Sequence, residues 1–228
     1  MENNLNLMVE TYATPAGRMY EMFYFDRMYP YLNSERREHI NSFLHAEDAI
    51  RSLAGDWLAR IVLSEKLHLN FSEILIDHDE NGKPFYNSSS GINFNISHSG
   101  DWSVCAVSEL PVGIDIEMVQ PIDLSIAKDC FTENEFDRMT GFADKTKQLD
   151  YFYTIWTIKE SYLKATGSGF FKSPDSFGVE IKTNQIHLTG NVERGYCFRP
   201  YNFEFGYKLC TCSLETRFSD NIKIHIPE

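Results

Sequence analysis

No stretch of this chain approaches the roughly 18 to 20 consecutive apolar residues that a membrane span requires, so membrane association through a helix is not expected. The opening residues, MENNLNLMVE, have neither the basic flank nor the apolar run of a secretory leader, and a cytoplasmic location is expected. Basic residues are scarce. The 21 Lys and Arg stand against 33 Asp and Glu, for a formal net charge of -12. Nucleic-acid binding needs the opposite balance, because phosphates must be neutralised by Lys and Arg. Nucleic acid is therefore excluded as a partner, and any anionic ligand must be held by a local cluster of positive groups. Cysteine is also short of a pattern: Cys105, Cys130, Cys197, Cys210 and Cys212 are odd in number, and their one close pair is C-x-C rather than C-x-x-C. They are expected to be reduced core thiols, and not a zinc site or a disulfide framework.

The 228 residues suffice for one large domain or two small ones, either able to bury a core without cross-links. Residues 33–43 and 45–67 have a helical pattern. In the second, Ile50, Leu53, Ala54, Trp57, Leu58 and Ile61 recur at the spacing of one helix face. Residues 72–110 change period: ILIDHDENGKPFY reads as strand, turn around Asn81-Gly82, and strand, followed by the strands INFNISHS and WSVCAVS across a turn at Ser99-Gly100-Asp101. After Pro111 the order begins again, with a strand (VGIDIE), a helix over 124–130, a helix opening at Thr132, a long helix over 149–166, and strands to the end. The prediction is an α+β protein of two α/β halves, 1–110 and 111–228, each a mostly antiparallel sheet packed with helices. No residue-level repeat links them.

PVGIDIE, residues 111–117, contains the first anomaly. Successive strand residues point to opposite faces, so Asp115 and Glu117 share one face and Ile114 and Ile116 the other. Two carboxylates about 4 Å apart would repel by about 4 kcal/mol at an effective dielectric near 20. A solvated acidic face avoids that cost, and so does a divalent cation; hard oxygen ligands of this kind suit Mg²⁺.

The second anomaly is in YFYTIWTIKESYLKATG, residues 151–167. Phe152, Ile155, Trp156, Tyr162 and Leu163 form an apolar arc, and Gly167 is placed to end the helix in a left-handed cap. Lys159 falls inside the arc, so its ammonium must meet a carboxylate or a ligand phosphate. Glu160 and Lys164 are one turn apart, which by itself makes a surface pair contributing about 0.3–0.5 kcal/mol. In FNISHSGDW, Ser97 and His98 end a strand before a glycine turn and could meet a phosphate or only satisfy the turn. Neighbours on a strand point apart, so they are not a nucleophile and its base. Lys83 in NGKPF is presented beside the stiffening Pro84. In FTENEF, Thr132 and Glu135 have the form of a capping box.

Taken in order, GIDIE, FTENEF and WTIKESYLKATG, with HAEDAIRS, GKPF and FNISHSGDW upstream, resemble the 4′-phosphopantetheinyl transferases, specifically the surfactin-synthetase-activating type. The similarity spans residues 34–179. The resemblance implies a monomer of two similar, pseudo-twofold halves with the active site at the cleft between them. It implies transfer of the phosphopantetheine arm of coenzyme A to a serine of an apo peptidyl or acyl carrier protein, with Mg²⁺ as cofactor and adenosine 3′,5′-bisphosphate as the leaving product. The pathway would be nonribosomal peptide, polyketide or fatty-acid synthesis. By motif, Asp115, Glu117 and Glu160 would be the magnesium ligands. Ser97 and His98 would contact the 3′-phosphate region, with Arg36, Arg51 and Lys83 adding positive charge, and Lys164 would meet the pyrophosphate. Glu160 or Glu135 would accept or relay the serine proton. His39 departs from the pattern, standing where relatives carry a lysine, and a mostly neutral imidazole would make a weaker contact.

Two other readings fit part of the pattern: a hydrolase using the same acids with water, and a non-catalytic coenzyme-binding protein, which would be expected to have lost one of the three acids. Carrier domains are commonly acidic, as this chain is, so docking is expected to rest on a small apolar surface near the cleft and not on long-range attraction.

Overall fold

Alternation along the strands sorts the apolar residues into two populations, and the layers follow from that sorting. The computed structural model describes residues 8–79, 82–86, 90–168, 172–183 and 185–227. The first part of the chain forms β1 (Val9–Pro15), α1 (Glu21–Met28), α2 (Ser34–Asn41), α3 (Ala46–Leu67), β2 (Ile76–His78), β3 (Pro84–Tyr86), β4 (Asn93–Ser99) and β5 (Trp102–Ser108). After Pro111 come β6 (Val112–Met118), α4 (Ala127–Cys130), α5 (Glu133–Thr140), α6 (Lys145–Thr166), β7 (Phe177–Lys182), β8 (Gln185–Gly190), β9 (Cys197–Tyr201), β10 (Tyr207–Ser213) and β11 (Phe218–Ile224).

One sheet has the order β11-β1-β5-β4 and the other β6-β10-β9, with β2-β3 and β7-β8 as separate hairpins. All pairings are antiparallel except β1 with β11. On β5, Cys105 and Val107 face α3 together with Tyr12 and Phe94, while Val104 and Ala106 face Ile114, Ile116 and Leu209 of the second sheet. The opposite face of the second sheet carries α6. The order through the molecule is thus helices, sheet, sheet, helix, an α+β architecture of mostly antiparallel sheets covered by helices.

The long helices end as their sequences dictate. α3 stops at His68 in a left-handed conformation, and α6 stops at Gly167 with φ of 69°. α6 starts four residues before the predicted 149, because Asp144 caps it by accepting from Thr146 N at 2.8 Å. The segment predicted as a helix over 124–130 is a 3₁₀ turn, Leu124–Ile126, running into the single-turn α4. Asn81 of the expected 81–82 turn lies outside the described residues. β1 and α1 were not predicted, and β11, which follows the second half in sequence, crosses back to pair with β1 in the first sheet. The five cysteines are unpaired; four are buried and Cys197 is half-buried. Among the described residues no helix is long and apolar enough to cross a membrane.

One close approach sets the geometry around PVGIDIE. A Cβ at Gly113 would lie 2.1 Å from Ser161 O and 2.4 Å from Ala165 N, so β6 and α6 touch backbone to backbone there. No other residue type fits without moving the helix. Gly113→Ala should lower stability by about 1–3 kcal/mol, as overpacking does, measured from urea unfolding. An unchanged midpoint would show that α6 can shift off β6 at no cost.

Candidate active site

The strand alternation foreseen for β6 places Asp115 and Glu117 on the side of the sheet covered by α6, and the close approach at Gly113 brings Glu160 and Lys164 over them. All four line a cleft of about 460 Å³ that also takes residues from α2, α3 and β4. Asp115 is buried, with 3% of its surface exposed. Its Oδ1 accepts from Lys164 Nζ at 2.6 Å and from Ser97 Oγ at 3.0 Å. Lys164 therefore pairs across to β6 and not with Glu160 one turn away. Glu117 accepts from Ser99 Oγ at 3.1 Å and from Trp156 Nε1 at 3.2 Å. No hydrogen bond holds the carboxylate of Glu160 among the described residues.

The three acids all resist ionisation. Burial raises Asp115 against the pull of Lys164. Burial, then the charge of Asp115, pushes Glu117 up to about 7. Burial raises Glu160 as well, Lys164 opposing and Asp115 adding. One ammonium among three carboxylates leaves the cleft short of positive charge.

Asp115 shows whether a divalent cation fits this set. Its Oδ2 is buried and has no hydrogen-bond partner among the described residues, which is costly for a carboxylate oxygen unless a ligand meets it. Among the described residues, no three or more His, Cys, Asp or Glu side chains are already gathered to hold an ion. Mg²⁺ does not require such a cage, since it is held by one or two carboxylates, waters and substrate phosphates. The hard oxygen donors of Asp115, Glu117 and Glu160 fit it on those terms.

The other end of the cleft is lined by Arg36, imidazoles and an aromatic ring. Arg36 donates from Nε to Asp56 Oδ2 at 2.9 Å and from its terminal nitrogen to Ser52 Oγ at 2.6 Å. His39, His78 and Phe43 complete this end with His98. His98 is held below its ordinary value by the surrounding protein first, then by Lys164 and Arg51, although the residue is exposed. His78 is lowered chiefly by burial.

The structure does not gather every residue expected. Arg51 does not line the cleft: it donates to Gly100 O at 3.1 Å and pairs with Asp48, holding the β4-β5 turn. Lys83 stands beside the cleft, donating to Lys164 O at 2.8 Å while Gly82 and Pro84 form the wall. Ser97 does line the cleft, buried, with its hydroxyl bonded to Asp115 at 3.0 Å and accepting from Lys164 Nζ at 3.1 Å. The larger correction concerns Glu135. Its Oε2 accepts from Thr132 N at 2.8 Å and from buried Lys159 at 2.7 Å, and its Oε1 accepts from Val179 N at 2.7 Å. Glu135 is thus the carboxylate that Lys159 was expected to need, it closes the predicted capping box, and it is absent from the cleft. Lys159, fully buried, also donates to the carbonyls of Pro174 at 2.7 Å and Phe177 at 2.8 Å. Glu135 therefore cannot meet a substrate hydroxyl from where it lies.

Ser52, Asp56, His78 and Trp156 were not predicted for the site. Asp56 is not one of the apolar-face residues of its helix, and only the fold shows it buried against Arg36. Trp156 was counted as apolar arc, and its indole N–H was the available signal.

Sequence comparison supplies relatives for this arrangement. The family described as 4′-phosphopantetheinyl transferase, N-terminal, matches residues 21–110, and the 4′-phosphopantetheinyl transferase superfamily matches residues 111–212. The chain is 38% identical over 199 residues to the 4′-phosphopantetheinyl transferase Sfp of Bacillus subtilis (strain 168), across 86% of this chain and 88% of that one. It is 40% identical over 185 residues to the 4′-phosphopantetheinyl transferase gsp of Aneurinibacillus migulanus, across 80% and 76%. The L-aminoadipate-semialdehyde dehydrogenase-phosphopantetheinyl transferase of Homo sapiens is 34% identical over 191 residues, across 73% of this chain and 62% of that one.

The raised acid of Glu117 has a measurable consequence. Folded Glu117 keeps its proton up to about 7, whereas the unfolded carboxyl releases it near 4.5. Its contribution to stability is whole below 4.5 and is lost as pH rises through about 7. Glu117→Gln cannot titrate, so in metal-free buffer its thermal midpoint should gain on wild type steadily across that window. A difference that stays constant with pH would contradict the assignment.

Proposed function

The chain belongs to the 4′-phosphopantetheinyl transferase superfamily, and on that footing we propose that the cleft over the β4 and β6 edges, walled by α2 and α3 on one side and α6 on the other, holds coenzyme A with Mg²⁺ and presents its pyrophosphate to a carrier-protein serine. The enzyme transfers the 4′-phosphopantetheine arm of coenzyme A to a serine hydroxyl of an apo carrier protein, releasing adenosine 3′,5′-bisphosphate. The observation that carries the reading of the site is the unpartnered, buried Oδ2 of Asp115 beside Glu117 and Glu160. Asp115, Glu117 and Glu160 would hold Mg²⁺, which when bound supplies neutralising charge at the pyrophosphate.

The chain's own residues do the rest by position and charge. The serine oxygen attacks the phosphorus that bears the pantetheine arm, and the bond from that phosphorus to the bridging oxygen breaks, that oxygen leaving with the bisphosphate. Lys164 lies at the acid end of the cleft, where it offsets negative charge growing on the leaving phosphate. Glu160, with a raised pKa and no hydrogen bond to hold it, takes the serine proton directly or through a water. Arg36 with His39 and His98 receives the nucleotide's 3′-phosphate end, and Lys83 and Arg51 contribute charge from beyond the wall. The residues up to 110 supply the nucleotide contacts, and those from 111 the metal ligands and the groups of the transfer. The enzyme needs no nucleophile of its own, because the partner brings it.

The cleft is completed within one chain, which supports action as a monomer. Leu44 is 95% exposed next to cleft-lining Phe43, which supports an apolar contact with the carrier. Peptidyl or acyl carriers of nonribosomal peptide, polyketide or fatty-acid synthesis are the partners this chemistry fits.

Mass spectrometry of an apo carrier protein incubated with coenzyme A and Mg²⁺ tests the proposal. Wild type should add the phosphopantetheine mass, and Asp115→Ala should slow the addition at least ~100-fold, the scale of losing a group that stabilises transition-state charge. Equal rates for the two would remove Asp115 from the mechanism.

A further inference from the structure

The two sheets meet at the edges β4 and β6, yet among the described residues no backbone hydrogen bond joins these strands. Side chains of β4 bridge the gap instead. Ile114 N donates to Asn95 Oδ1 at 2.9 Å, Ile116 N to Ser97 Oγ at 3.3 Å, and Met118 N to Ser99 Oγ at 3.0 Å. Alternate residues of one strand thus satisfy alternate amides of the other.

A hydroxyl that accepts in this way still has its proton to give. Ser97 gives it to Asp115 Oδ1 at 3.0 Å, and Ser99 gives it to Glu117 Oε2 at 3.1 Å. The spacing of the two serines matches the spacing of the two acids. Asn95, opposite the glycine of the same strand, bridges the seam but touches no carboxylate.

We propose that Ser97 and Ser99 are positioning residues: each fixes the rotation of one acid of the pair while anchoring it to the strand that carries it. This rests on the reading of Asp115 and Glu117 as metal ligands. A hydroxyl tied to a backbone amide and a carboxylate oxygen at once cannot turn without losing one bond. It therefore selects which carboxylate oxygen is engaged, and on Asp115 it leaves Oδ2 for the ligand. Partners of this kind behind ligating groups typically carry 10–100-fold in metal affinity.

Mn²⁺ binding in the presence of coenzyme A, followed by the loss of the free-ion electron paramagnetic resonance signal, separates positioning from mere stability. Ser99→Ala should weaken Mn²⁺ binding ~10-fold or more, and Ser99→Thr, which keeps the hydroxyl, should bind close to wild type. Asn95→Ala should lower the thermal midpoint of the free protein and leave Mn²⁺ affinity near wild type. Unchanged Mn²⁺ affinity in Ser99→Ala overturns the proposal, as does an equal loss in Asn95→Ala, which would reduce the ladder to a structural seam. Failure of wild type to bind Mn²⁺ would instead overturn the metal reading and this inference with it.

Discussion

The packing of α6 on β6 over Gly113 is the constraint on which the site depends. Helix and strand approach to a distance that excludes a Cβ, so Glu160 and Lys164 come down on the face that carries Asp115 and Glu117. The helix is held in rotation from its other side. Lys159, next to Glu160 in sequence, reaches into the core and is clamped by Glu135 and by the carbonyls of Pro174 and Phe177. Removing either partner of such a pair leaves a buried charge, so the clamp is costly to break. Neighbouring residues on one helix thus divide the labour: Lys159 fixes the helix and Glu160 faces the cleft.

The electrostatics of the cleft work against the folded chain alone. Three carboxylates share one ammonium, all three are raised by burial, and an oxygen of Asp115 has no partner. An arrangement left short of positive charge in this way favours binding a cation together with an anionic phosphate ester, which restores the balance on both sides. The acid end and the Arg36 end are separated along one cleft. That separation suits a ligand with a pyrophosphate at one end and a phosphorylated nucleoside at the other.

Much of this was legible in the sequence, and the limits follow from specific residues. The period of two in GIDIE put both acids on one face, and the misplaced Lys159 announced an anionic partner, carboxylate or phosphate, before any fold was known. Capping signals at Thr132 and Gly167 marked helix ends where they occur. What could not be seen was pairing over long separations. β11 joins β1 across most of the chain, and Asp56 is buried only because α2 brings Arg36 onto it. Glu135 shows the same limit from the opposite side: its residue type permitted both capping and catalysis, and only its neighbours Lys159 and Val179 decide for structure. Ser97 was expected to meet a ligand phosphate, and what the sequence did not show is its place in the ladder between β4 and β6, where it bonds Asp115.

In the proposed function, one cation held by residues of β6 and α6 would join the protein to the pyrophosphate of coenzyme A. Anomalous diffraction from crystals grown with Mn²⁺ and coenzyme A tests it most directly. A single strong peak is expected among the carboxylates of Asp115, Glu117 and Glu160, in contact with the pyrophosphate. Coenzyme A bound in the cleft with the manganese elsewhere, or with no manganese at all, would contradict it.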